Sequence, residues 1–121
     1  MSSTKNIKSI HPKVGWVPFT NDIQTASSRM RSYLPCEYLK SKGFACEIYQ
    51  AEHQSQYDIV VFQKIYSESA VALAMNLKSQ NVKIIFDLCD NHFYVPNETA
   101  KTKQKSERLK QMLALADVVS V

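Results

Sequence analysis

Val82-Lys83-Ile84-Ile85-Phe86-Asp87-Leu88-Cys89-Asp90-Asn91-His92-Phe93-Tyr94 decides how the chain is read. Its first half is a short apolar run rich in β-branched residues, the composition of a strand covered on both faces of a sheet. Its second half sets two aspartates, an asparagine and a histidine among Leu88, Cys89, Phe93 and Tyr94, where such a strand would end. In open parallel α/β sheets, ligands gather at the carboxyl ends of the strands, because the loops that reach a substrate leave from there. Asp87, Asp90 and His92 are therefore the first candidates for chemistry, as a general base or as hydrogen-bonding groups for a polyol. Hard-ion sites use more oxygen ligands than this run supplies, so no metal is expected. A plain turn accounts for the same residues, with Asp87 capping it, Asp90 and Asn91 forming it, and His92 packed beside Phe93.

Working back from that stretch, Ser67 and Glu68 open a helix whose Ala70, Leu73, Ala74 and Leu77 recur at one-face spacing. Asp58 to Gln63 reads as a strand, with the buried-type run Ile59-Val60-Val61-Phe62. The segment Ala51 to Gln56 is too short and polar for a full crossover helix. Phe44 to Tyr49 reads as a strand, and so does Lys13 to Val17, closed by Pro18. Between those two, a helix opens at Ala26, with Thr25, Ser27 or Ser28 as its cap. Met30, Tyr33, Leu34 and Leu39 are expected on one face, with a kink or break at Pro35 and a stop at Gly43. Working forward, Pro96 ends the polar loop and Asn97 or Thr99 caps a helix carrying Leu109, Met112, Leu113 and Ala116. Asp117-Val118-Val119-Ser120-Val121 begins a fifth strand.

This alternation predicts an α/β, Rossmann-like three-layer domain with a parallel five-stranded sheet in the order 2-1-3-4-5, its last strand truncated. Residues 1–12 read as a flexible tail and residues 13–121 as the domain. A buried last strand with no helix to cover it suggests a piece of a longer protein.

An apolar fraction of 45% with only 2 glycines and 4 prolines in 121 residues fits one globular core and argues against disorder. The net charge of +4 permits anionic partners without requiring nucleic acid. Much of it falls on Lys101, Lys103, Lys105, Arg108 and Lys110, a face that is ordinarily solvated. Peripheral contact with an anionic membrane is its other use. Cys36, Cys46 and Cys89 have no metal-like or redox spacing, so reduced thiols and a cytoplasmic setting are expected. No apolar run approaches the roughly 18 residues of a spanning helix, and residues 1–10 lack the apolar core of a signal peptide. No cofactor is expected.

Two further groups belong to the same rim of the predicted sheet. Ser27, Ser28, Arg29 and Arg31 open the first helix, where unpaired N–H groups, the helix dipole and a guanidinium favour a phosphate. A capped helix with solvated arginines explains them as well, and the Gly-rich dinucleotide fingerprint is absent. Gln63 and Lys64, with Tyr66, follow the third strand and are further binding candidates. His11 and His53 have no evident partner.

Four segments together resemble the N-terminal half of a GT-B-fold glycosyltransferase. They are Thr25-Ala26-Ser27-Ser28-Arg29-Met30-Arg31-Ser32-Tyr33-Leu34-Pro35, Tyr57-Asp58-Ile59-Val60-Val61-Phe62-Gln63-Lys64, Phe86-Asp87-Leu88-Cys89-Asp90-Asn91-His92-Phe93 and Ala116-Asp117-Val118-Val119. The resemblance implies two Rossmann-like domains facing across a cleft, of which this one receives the acceptor. The donor-binding C-terminal domain is missing here, as is the family's frequent Gly-rich first loop. It further implies an acceptor-side role for Asp87 to His92 and an approach of Ser28, Arg29 or Arg31 to the donor diphosphate. The expected function is thus the acceptor-binding half of an enzyme moving a sugar from a nucleotide-sugar, inactive as this chain alone.

A stand-alone flavodoxin-like module that binds a nucleotide or a partner is the alternative on fold analogy. A phosphoacceptor receiver fits poorly, because Trp16-Val17-Pro18 and Phe62-Gln63-Lys64 stand where its acidic residues belong.

Overall fold

The computed structural model describes residues 12–20, 22, 24–88 and 100–120. Five strands form one all-parallel sheet: β1 (Lys13–Val17), β2 (Ala45–Ile48), β3 (Ile59–Gln63), β4 (Lys83–Asp87) and β5 (Val118–Ser120). Their order in space is β2-β1-β3-β4-β5, as the sequence predicts. A helical segment over residues 26–41, here α1, joins β1 to β2. A 3₁₀ helix, Ala51–Gln56, replaces a crossover helix between β2 and β3. The remaining helices are α2 (Glu68–Ser79) and α3 (Ala100–Leu115). The expected tail over residues 1–12 lies, apart from Pro12, outside the described residues.

The chain moves one way from β1 to β2 and the other way from β1 to β3. With right-handed crossovers, this reversal puts α1 on one face and α2 and α3 on the other. The two cores divide accordingly. Val60, Phe62, Ile84 and Phe86 pack with Ala70, Ala74 and Leu77 of α2 and with Leu109 and Met112 of α3. Trp16, Cys46 and Val61 pack with Cys36 of α1 on the opposite face. Alternation along each strand thus serves two covered faces, which is why the strands read as unbroken apolar runs.

α1 departs from the expected pattern. Met30 and Leu34 are 58% and 49% exposed, whereas Ser28, Ser32 and Cys36 are buried. Small side chains at this i, i+4, i+8 spacing let the helix lie close to the sheet, and Met30 and Leu34 face outward, whereas Leu39 packs against the core. The segment runs as an α turn (Ala26–Ser28), a π segment (Arg29–Tyr33) and an α-helix (Leu34–Ser41). Pro35 falls in the first turn of that last piece. Its missing N–H and its ring disrupt regular α pairing with the preceding turn, and the wider π loop accommodates both. Thr25 takes the N-cap position, although its side chain makes no capping hydrogen bond. Gly43 ends the segment at φ +91°, a left-handed conformation suited to glycine.

The amino ends of the strands are tied by a repeated device. The Asp58 N–H donates to the Lys13 carbonyl while its carboxylate accepts from the Lys13 N–H at 2.9 Å. Asp117 does the same with Ile84, the carboxylate accepting at 2.8 Å. The Tyr57-Asp58 and Ala116-Asp117 pairs singled out in the sequence therefore close adjacent strands, at the end of the sheet opposite the candidate chemistry.

Candidate functional site

β1 and β3 are neighbours whose chains leave in opposite directions, so a crevice opens at their carboxyl ends, the usual ligand position in such sheets. Gln63, the last residue of β3, fills it and is fully buried. Its Oε1 accepts from the Phe19 N–H at 2.8 Å and from the Ser28 and Ser32 hydroxyls at 3.2 Å each. The Ser28 hydroxyl also accepts from the Thr20 N–H at 3.2 Å. One amide thereby holds the loop after β1, two turns of α1 and the end of β3. Burying so many polar groups is tolerable only because they satisfy one another.

Across the sheet, Gln63 lies in register with Asp87. Asp87 is buried and takes a two-pronged ion pair from Arg31 of the π segment: Nε reaches Oδ2 at 2.8 Å and Nη2 reaches Oδ1. The Lys64 N–H donates to the Asp87 carbonyl at 2.7 Å, with Lys64 in the left-handed region at φ 56°. Its ammonium group lies 5.2 Å from the centre of the Phe19 ring.

Five candidates therefore meet at one rim: Ser28, Arg31, Gln63, Lys64 and Asp87. Ser28 and Arg31, read from the sequence as phosphate-binding residues, here hold Gln63 and Asp87. Arg29 donates to the Gln24 carbonyl at 3.3 Å, and Ser27 is half-buried at the helix start. Asp90 and His92, together with Cys89, Asn97 and Thr99, lie outside the described residues, as does His11. Among the described residues no group of three or more His, Cys, Asp and Glu side chains converges as metal ligands would.

Beside the polar knot, a hollow of about 290 Å³ opens at the carboxyl ends of β1 and β2. Trp16, Pro18, Phe19, Ile48, Tyr49 and Ile65 line it, with Thr20 as a polar edge. Burial pushes the Tyr49 hydroxyl above its ordinary pKa, keeping it a neutral group there. An apolar, aromatic wall next to convergent polar groups is the usual make-up of a small-molecule site.

Sequence reasoning missed a second polar group, on the β1–β2 edge. Glu47 accepts from the Tyr57 hydroxyl and from His53 Nδ1 at 2.8 Å, with the Lys13 ammonium at 3.7 Å. Tyr57 is fully buried and also accepts from the Gln50 N–H at 2.8 Å. His53, for which the sequence offers no evident partner, thus ties the 3₁₀ helix to β2. A His six residues after a strand Glu is too common a spacing to have signalled it.

No helix among the described residues is long and apolar enough to cross a membrane. Comparison with protein-family models, with curated proteins and with solved structures finds no match to the chain.

Proposed function

We propose that the chain is the acceptor-side domain of a GT-B-fold glycosyltransferase whose donor-holding domain faces the rim just described. The reading is carried by one juxtaposition: the Gln63–Asp87–Arg31 knot beside an aromatic hollow, at the carboxyl ends of a sheet ordered 2-1-3-4-5. In this arrangement the hollow receives the apolar part of an acceptor, and the knot holds the strand ends rigid. The acceptor hydroxyl loses its proton to Asp90 or His92, in the segment after Asp87, and attacks the anomeric carbon of the donor. The bond from that carbon to the nucleoside diphosphate breaks, and the charge left on the diphosphate is stabilised by cations of the rim such as Arg29 and Lys64.

Incubating the longer protein that carries this domain with nucleotide-sugars, and following nucleoside diphosphate release, tests the reading. Release that depends on an added acceptor is expected, and the 121-residue chain alone should be silent. Tight nucleotide-sugar binding by this chain alone, measured by calorimetry, overturns the division of labour. A reading frame that stops at Val121 in the source DNA overturns it as well.

A further inference from the structure

A second hollow, also of about 290 Å³, opens where α1 meets β2, the edge strand of the sheet. Tyr33, Glu37 and Lys40 of α1 line it, with Glu47 and Ile48 of β2 and Gln50 just beyond. It shares only Ile48 with the hollow at the rim. Two carboxylates and one ammonium group thus line a single space, at the small end of the range for ligand cavities.

One of those carboxylates is fixed in place. The Tyr57 hydroxyl, His53 Nδ1 and the Lys13 ammonium all meet Glu47 at Oε2. Its Oε1 has no hydrogen-bond partner among the described residues. Tyr57 is itself buried and held by the Gln50 N–H, so the core sets where Glu47 stands before any ligand arrives. Glu37 and Lys40 lie three residues apart on α1, a spacing at which opposite charges can pair. They do not pair: among the described residues neither side chain makes an ion pair or a hydrogen bond. An exposed pair of this kind would stabilise the helix little, so both groups are at the disposal of a ligand.

We propose that this hollow binds a free α-amino acid as its zwitterion, the ammonium group at Glu37 and Glu47 Oε1 and the carboxylate at Lys40. The choice follows from charge. Two anions beside one cation repel a ligand that is only an anion, and a plain amine leaves Lys40 unanswered. A metal ion needs more converging ligands than two carboxylates, and among the described residues no such group exists. A zwitterion answers all three charges, with a charge-assisted hydrogen bond at each end. Its side chain meets Tyr33 and Ile48, an aromatic and a branched apolar surface that favour an apolar amino acid.

The test is titration of the chain with L-alanine, L-leucine and L-phenylalanine, followed by backbone amide NMR shifts. Saturable shifts around Glu37, Lys40, Glu47 and Gln50 are expected below about 20 mM, with leucine or phenylalanine binding tightest. For the tightest of the three, the matching amine without the carboxylate and the matching acid without the ammonium should each bind about tenfold more weakly. Glu37→Gln and Lys40→Gln should each weaken binding about fivefold or more, and Lys42→Gln not at all. Because Glu37 and Lys40 are exposed on α1, their variants keep the test decisive should Glu47→Gln unsettle the fold. No saturable shift with any of the three amino acids overturns the proposal, as does undiminished affinity for either truncated analogue or in Lys40→Gln. The site stands or falls apart from the transferase reading, which is tested by diphosphate release.

Discussion

Arg31 and Asp87, 56 residues apart in sequence, form a two-pronged ion pair that joins the π segment of α1 to the end of β4. The Asp87 side chain is only 10% exposed and that of Arg31 39%, so the carboxylate is withdrawn from water while the guanidinium keeps one side in it. The pair spans the rim next to Gln63, and its fork geometry fixes the angle at which α1 crosses the strand ends.

A double-mutant cycle of Arg31→Ala and Asp87→Asn should therefore show a coupling of about 1–2 kcal/mol in urea unfolding, reduced from a fully buried pair by solvent at Arg31. Arg31→Lys keeps the charge and loses the fork, so it should recover less than half of that coupling. Additive single-variant effects would show that the pair does no structural work.

Gln63→Leu keeps much of the volume but leaves the Phe19 N–H and two serine hydroxyls without their acceptor. Stability should fall by about 2–4 kcal/mol, whereas Ser28→Ala or Ser32→Ala should each cost about 1 kcal/mol. Thermal unfolding of the three variants checks the ranking. A leucine variant as stable as the parent would show that the amide is not the hub of the rim.

At Gly15, an added Cβ would stand 2.8 Å from Tyr57 Cε1. The ring cannot easily retreat, because its hydroxyl is held by Glu47 and by the Gln50 N–H. Gly15→Ala should thus destabilise the fold by about 1–3 kcal/mol through overpacking. In the Tyr57→Phe background the ring is freed, and the cost of the alanine should shrink.

Burial raises the Glu47 pKa, but hydrogen bonds from Tyr57 and His53 and the Lys13 charge outweigh it, so the net value lies below the ordinary 4.5. A depressed carboxyl pKa in the folded state contributes stability above the unfolded value, and that contribution disappears as pH falls through the folded one. Asp117 shifts in the same direction through its bonds from the Ile84 N–H and Lys78. The melting temperature should hold between about pH 7 and 5 and drop below about pH 4.5. Glu47→Gln should lower it at neutral pH and flatten part of the acid limb.

Burial, with Cys46 nearby, pushes the Cys36 thiol up to about 11, and burial raises Cys46 as well. Neither is a nucleophile at neutral pH. Iodoacetamide at about pH 7.5 should leave both unmodified in the folded chain and label both in denaturant, as read by peptide mass mapping. Rapid native labelling of Cys36 would mean that α1 lifts from the sheet.

Strand number, parallel pairing and strand order were all legible in the sequence, because apolar β-branched runs alternating with helix-spaced segments admit few connections. The helix faces of α2 and α3 were legible for the same reason: Ala70, Ala74, Leu77, Leu109 and Met112 repeat at helical spacing and are buried. Periodicity misled only at α1, where the buried face is made of Ser28, Ser32 and Cys36. A hydropathy pattern cannot mark a face whose packing rests on small polar groups. That Gln63 accepts those serines, that Arg31 is spoken for by Asp87, and that the Lys105 ammonium lies over the Tyr66 ring were settled only by the tertiary structure. Each depends on side chains 31 to 56 residues apart, or on separate elements, meeting at one end of a sheet. Local sequence states which groups can pair; only the folded chain sets which ones are close enough to do so.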